Sequence, residues 1–133
     1  MKVLAGHGYT MVAVEYPRGY GTTYPKPVEQ VNVRRSRVSH SQRGGFQSSP
    51  ATIILAGDSA GAHIASQVAL ITADPAYASA AGTSPQLKAK QLSAMFLVSG
   101  AYDPSSVSFE GNDGGFSKRC PWAYLGDEKL PRG

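Results

Sequence analysis

The stretch Thr52-Ile53-Ile54-Leu55-Ala56-Gly57-Asp58-Ser59-Ala60-Gly61-Ala62-His63-Ile64-Ala65 constrains this chain more than any other. An uncharged, β-branched run leads straight into a Gly-x-Ser-x-Gly corner, and the corner leads straight into an alanine-rich segment. The run predicts a strand buried on both faces. Ile64, Val68 and Ile71 recur at helical spacing with Ala65 and Ala69 beside them, which predicts a helix over 60–73. Asp74-Pro75 ends or kinks that helix. Between strand and helix the chain must reverse within five residues and pass close to itself. Gly57 and Gly61 remove the side chains that would collide there. A simple cap by Asp58 or Ser59 is the plain alternative, but a cap does not require glycine on both sides of the serine.

A corner of this kind is a nucleophile elbow. It holds Ser59 at the point of the turn, and the helix behind it aims free N–H groups and its positive dipole end at whatever the serine attacks. Ser59 is the candidate nucleophile. The backbone N–H of Ala60 is one expected oxyanion donor. Asp58 is expected to brace the turn rather than to do chemistry.

Elsewhere, Gly8 to Tyr16 predicts a buried strand through the contiguous apolar residues Met11 to Val14. Pro17 to Gly21 stops it, and a Pro-containing loop leads to Pro27, which can open a helix carrying Val28 and Val31 on one side. Leu92 to Ser99 predicts a further strand through Met95, Phe96, Leu97 and Val98, ended by Gly100-Ala101-Tyr102-Asp103-Pro104. Ala76 to Ala81 is expected to add a turn or two, and Pro85 to Gln91 another short helical piece. No internal repeat is present.

Leu55 to His63 resembles the elbow of α/β-hydrolase esterases of the hormone-sensitive-lipase type. Gly8 to Tyr16, Tyr24 to Val31 and Ser99 to Asp103 resemble the strand two elements upstream in that family, the start of the helix between, and the strand end after the elbow helix. The likeness covers most of the chain, at about the middle third of a family member. It implies an α/β class: a partial α/β-hydrolase fold in a single domain over 1–133, with a mostly parallel sheet of about three strands and crossover helices, incomplete. It implies a carboxylic ester hydrolase that forms an acyl-enzyme on Ser59, acts on a small ester and needs no cofactor or metal. Residues 104–133, with Phe116, Trp122, Tyr124 and Leu125, resemble the lid region.

The chemistry is only partly supplied. A serine hydroxyl needs a histidine to take its proton and an acid to orient the imidazole. In this fold the order is Ser, acid, His, and no histidine follows His63. His63 points sideways from the helix and is expected to pack or to bond locally. His7 precedes the first strand and His40 lies in an atypical segment, so neither stands at the base position. Asp103 matches the position from which some α/β-hydrolases take their acid, and a turn role before Pro104 is the plain alternative. Gly6-His7-Gly8 is not the His-Gly-Gly oxyanion loop of the family. The alternative to an active esterase is therefore a catalytically inactive, truncated fragment of one.

Residues 33–49 are atypical. The resemblance places an amphipathic crossover helix here, yet Arg34 to Gly45 offers only Val38 for an apolar stripe. A polar, poorly ordered loop and a stretch read in a shifted frame both fit. The helix begun at Pro27 is expected to stop. The net charge of +4 arises in the same place: setting aside Arg34, Arg35, Arg37 and Arg43 leaves nine basic residues against nine acidic ones. Those arginines and Phe46 belong to no recognisable nucleic-acid module, so no nucleic-acid partner is expected. No run reaches the ~20 apolar residues of a membrane span. No signal peptide is seen, and the lone Cys120 suits a reducing cytoplasm.

Overall fold

The computed structural model describes residues 2–16, 22–40 and 52–103, with the backbone alone for 34–40. The expectations for 41–51, for the lid-like region 104–133 and for Cys120 lie outside the described residues. The elements in chain order are α1 (Lys2–Gly6), α2 (Lys26–His40), β1 (Ile53–Asp58), α3 (Ala60–Ala73), α4 (Pro75–Ala80), a 3-10 turn (Ala89–Gln91) and β2 (Leu92–Val98).

β1 and β2 are parallel neighbours, with Leu55 beside Met95 and Asp58 beside Val98. A parallel pair needs a crossover, and α3 supplies it. Period-two alternation turns Ile53 and Leu55 inward, while Ile54 and Ala56 face out. The strand expected to be buried on both faces is thus covered on one. The physical reason is that α3 packs onto a single face of the two-stranded sheet, and Ile54, Met95 and Phe96 stay exposed.

The core forms where α3 meets that inner face. Ile64, Val68 and Ile71 are almost fully buried, and Val28, Ile53, Leu55, Ala78 and Leu87 close around them. Each large aliphatic side chain placed there contributes about 1.5–3 kcal/mol of transfer free energy. α3 stops where expected. Asp74 is extended (φ −123°), its N–H bonds the Leu70 carbonyl at 2.8 Å, and its carboxylate accepts from the N–H groups of Ala76 and Tyr77. One residue therefore ends α3 and caps α4, with Pro75 at the first position where a missing N–H costs nothing.

Two further sequence expectations need correction. α2 does not fail after Val33; its backbone stays helical to His40. No Gly or Pro falls between Val28 and His40, and arginine is among the better helix formers, so the helix continues without an apolar stripe. Its buried end is pinned by Asn32, which is 1% exposed. The Asn32 amide donates to the Ser84 carbonyl at 2.9 Å and accepts from the Gln86 N–H at 3.3 Å. Tyr24, just before α2, is hydrogen-bonded to Tyr77, which donates to Gln67. Burial, with Tyr77 beside it, pushes the Tyr24 phenol above its ordinary range.

The second correction concerns Gly8 to Tyr16. The segment forms no ladder with either strand, so the described sheet has two strands where about three were expected. Tyr9 and Val12 are exposed. A strand exists only when a neighbouring strand takes its N–H and C=O groups, and among the described residues no strand does so here.

Candidate active site

The corner between β1 and α3 closes as tightly as the glycines predict. A β-carbon at Gly57 would overlap the carbonyl of Gly61 and crowd the nitrogen of Ala62. Backbone atoms cannot move aside as a flexible side chain would, so position 57 admits only glycine. Ser59 sits at the point with φ 53° and ψ −120°, a left-handed backbone that non-glycine residues rarely adopt. Such strain persists where the surroundings over-determine it. Here the Ser59 N–H donates to the Val98 carbonyl at 2.9 Å, and the Ser59 carbonyl accepts from Ala62 at 3.0 Å and His63 at 3.2 Å.

Ser59 is exposed, and its hydroxyl makes no cap hydrogen bond to α3. The plain capping alternative is therefore not what this serine does. With Ala62 and His63 bonded back to Ser59, the N–H groups of Ala60 and Gly61 stand at the head of α3 without an intrahelical acceptor. No acidic residue lies in the first turn of α3 to neutralise that end. Asp58 is exposed, and its carboxylate makes no hydrogen bond among the described residues.

The parallel register gathers more of the chain at this end of the sheet. Val98 lies beside Asp58, so the segment that leaves β2 passes the corner. Asp103 is exposed on that segment. His63 bonds it through Nδ1, 2.7 Å from the Ala101 carbonyl. Among the described residues no hydrogen bond joins His63 to the Ser59 hydroxyl, as the sideways direction of its side chain predicts. His7 lies on the turn after α1 and is exposed. The Tyr16 hydroxyl comes to 3.9 Å from where a Gly61 β-carbon would stand, which places the end of the Gly8–Tyr16 segment at the elbow. Sequence reasoning missed this approach. It also missed Ser99, left-handed at φ 51°, and Gly100, where a β-carbon would overlap the Tyr102 ring. The Ser-Gly pair after a strand was the available signal for the turn, but nothing local announces the tyrosine that fills it.

No cluster of three His, Cys, Asp or Glu side chains able to hold a metal occurs among the described residues, and no helix there is long and apolar enough to cross a membrane. A strained exposed serine, a glycine-bounded reversal and an amide-rich helix head stand together at this corner. A family model of the alpha/beta hydrolase fold matches residues 2–119, a span that holds every element above. Nothing among curated proteins or solved structures matches.

Proposed function

The chain belongs to the alpha/beta hydrolase fold family, and from that premise we propose that it carries a serine hydrolase site acting on small carboxylic esters, of the hormone-sensitive-lipase type. The observation that carries the reading is Ser59: left-handed, exposed, uncapped, and held at the head of α3. Its Oγ attacks the ester carbonyl as a general base removes the hydroxyl proton. The tetrahedral oxyanion accepts the Ala60 N–H. The C–O bond to the alcohol then breaks, the alcohol leaves with the proton, and water hydrolyses the acyl-Ser59 ester by the same steps in reverse order. Asp103 is the candidate acid, since it follows β2 at the same end of the sheet. Gly57 and Gly61 permit the geometry. No cofactor enters this chemistry, and a cytoplasmic setting suits it.

A second reading, a catalytically silent member, is favoured by one observation: among the described residues no histidine is hydrogen-bonded to the Ser59 hydroxyl. A fluorophosphonate probe separates the two, because it reacts only with an activated serine. The active reading expects labelling of Ser59 that disappears in Ser59→Ala, together with turnover of a p-nitrophenyl ester. A folded chain whose Ser59 stays unlabelled overturns it in favour of the silent reading.

A further inference from the structure

Two serines with left-handed backbones stand at the same end of the sheet. Ser59 follows β1 at φ 53° and Ser99 follows β2 at φ 51°, and the pairing of Asp58 with Val98 makes them neighbours. Strain of this kind needs bonds that hold it. One is the 2.9 Å bond from the Ser59 N–H to the Val98 carbonyl. The other is the 2.7 Å contact between His63 Nδ1 and the Ala101 carbonyl. A carbonyl only accepts, so Nδ1 carries the hydrogen. With the first turn of α3 and the segment 98–101, these two bonds close a ring around both serines. The Tyr102 side chain folds back over Gly100.

We infer that His63 is a positioning residue that clamps the segment leaving β2 to the head of the elbow helix, and so fixes the direction of Ser59. This rests on reading Ser59 as the nucleophile. The clamp uses the ring as a hydrogen-bond donor at one atom and not as a base. Asparagine carries an N–H at the same distance from the backbone as Nδ1, whereas glutamine places its amide one bond farther, near the position of Nε2, and leucine has no donor.

The test compares His63→Asn, His63→Gln and His63→Leu in the full chain by three readouts. These are the rate of fluorophosphonate labelling of Ser59, the rate of chymotrypsin cleavage after Tyr102, and the ring tautomer of wild-type His63 by nitrogen-15 NMR. The neutral wild-type ring is expected as the Nδ1–H tautomer, which is the minor form of a free imidazole. His63→Leu and His63→Gln are expected to label about tenfold more slowly, since small misplacements of a reacting group are costly. They are also expected to be cut about tenfold faster after Tyr102, because a segment released from its tie opens more often. His63→Asn restores both rates. An Nε2–H tautomer, an asparagine variant as impaired as the leucine one, or cleavage unchanged in His63→Leu overturns the inference. Asparagine rescue separates a clamp from a general base, which asparagine cannot replace. If wild-type Ser59 does not label at all, the nucleophile reading fails by itself. The tautomer and the cleavage rates then still decide the clamp.

Discussion

Two stretches of this chain present the same pattern and meet different fates. Ile53 to Asp58 and Gly8 to Tyr16 are both short, apolar and rich in β-branched or aromatic residues. The first is a strand with two buried side chains; the second forms no ladder among the described residues and leaves Tyr9 and Val12 exposed. Propensity does not distinguish them. What differs is connection. Ile53 to Asp58 is joined by a five-residue corner to the helix that covers it, so its cover arrives at little cost in chain entropy. β2 then returns through the same unit as its lateral partner. Among the described residues Gly8 to Tyr16 has no such attached cover, and Tyr16 is the residue it packs against the core. A strand pattern describes a surface that fits a sheet, and a neighbour is still required.

If the corner is what makes the first stretch a strand, closing it is the most sensitive step. Gly57→Val sets side-chain atoms into the Gly61 carbonyl, and it is expected to cost more than about 4 kcal/mol and to abolish cooperative thermal unfolding. A folded Gly57→Val chain would break the comparison outright. The attached helix comes next. Ile71→Ala opens a cavity in a fully covered site and is expected to cost about 3 kcal/mol by urea denaturation. Val12→Ala in the unpaired stretch should cost less than about 0.5 kcal/mol. Equal losses at the two positions would mean that both stretches are packed alike. Asp74→Ala removes the carboxylate that caps α4 and should cost about 1 kcal/mol in the same measurement. One effect has the opposite sign. Ser59→Gly relieves the left-handed backbone and should add about 0.5–1 kcal/mol, and under the proposed function it also eliminates fluorophosphonate labelling.

The elements that were legible in the sequence are those whose signals are local. The boundaries of α3 follow from Ala60 and from Asp74-Pro75, and β2 follows from Leu92 to Val98. The corner was legible because its steric demand is written into Gly57 and Gly61. The extension of α2 past Val33 was not legible, because the sequence there has no apolar stripe and uninterrupted helix formers extend a helix without one. Gly8 to Tyr16 was misread because pairing is a property of two segments. In the site, Ser59 and the helix head were legible. The approach of Tyr16 and the bond from His63 to Ala101 were not, since partners 38 residues apart leave no joint mark on either segment. Asp103 was legible only as a residue of the segment that follows β2.

The bond from Ser59 to the Val98 carbonyl has a consequence for the order of assembly. The reversal is unfavourable by itself and gains its compensating partner only when the far strand has returned. α3, with local contacts, can form early; the bend at its head must wait for the longest closure in the unit. Substitutions in the middle of α3 should therefore slow refolding in a stopped-flow chevron. Val98→Ala should leave refolding nearly unchanged and accelerate unfolding instead. On that account the bend at Ser59 is set last, after nearly everything that supports it.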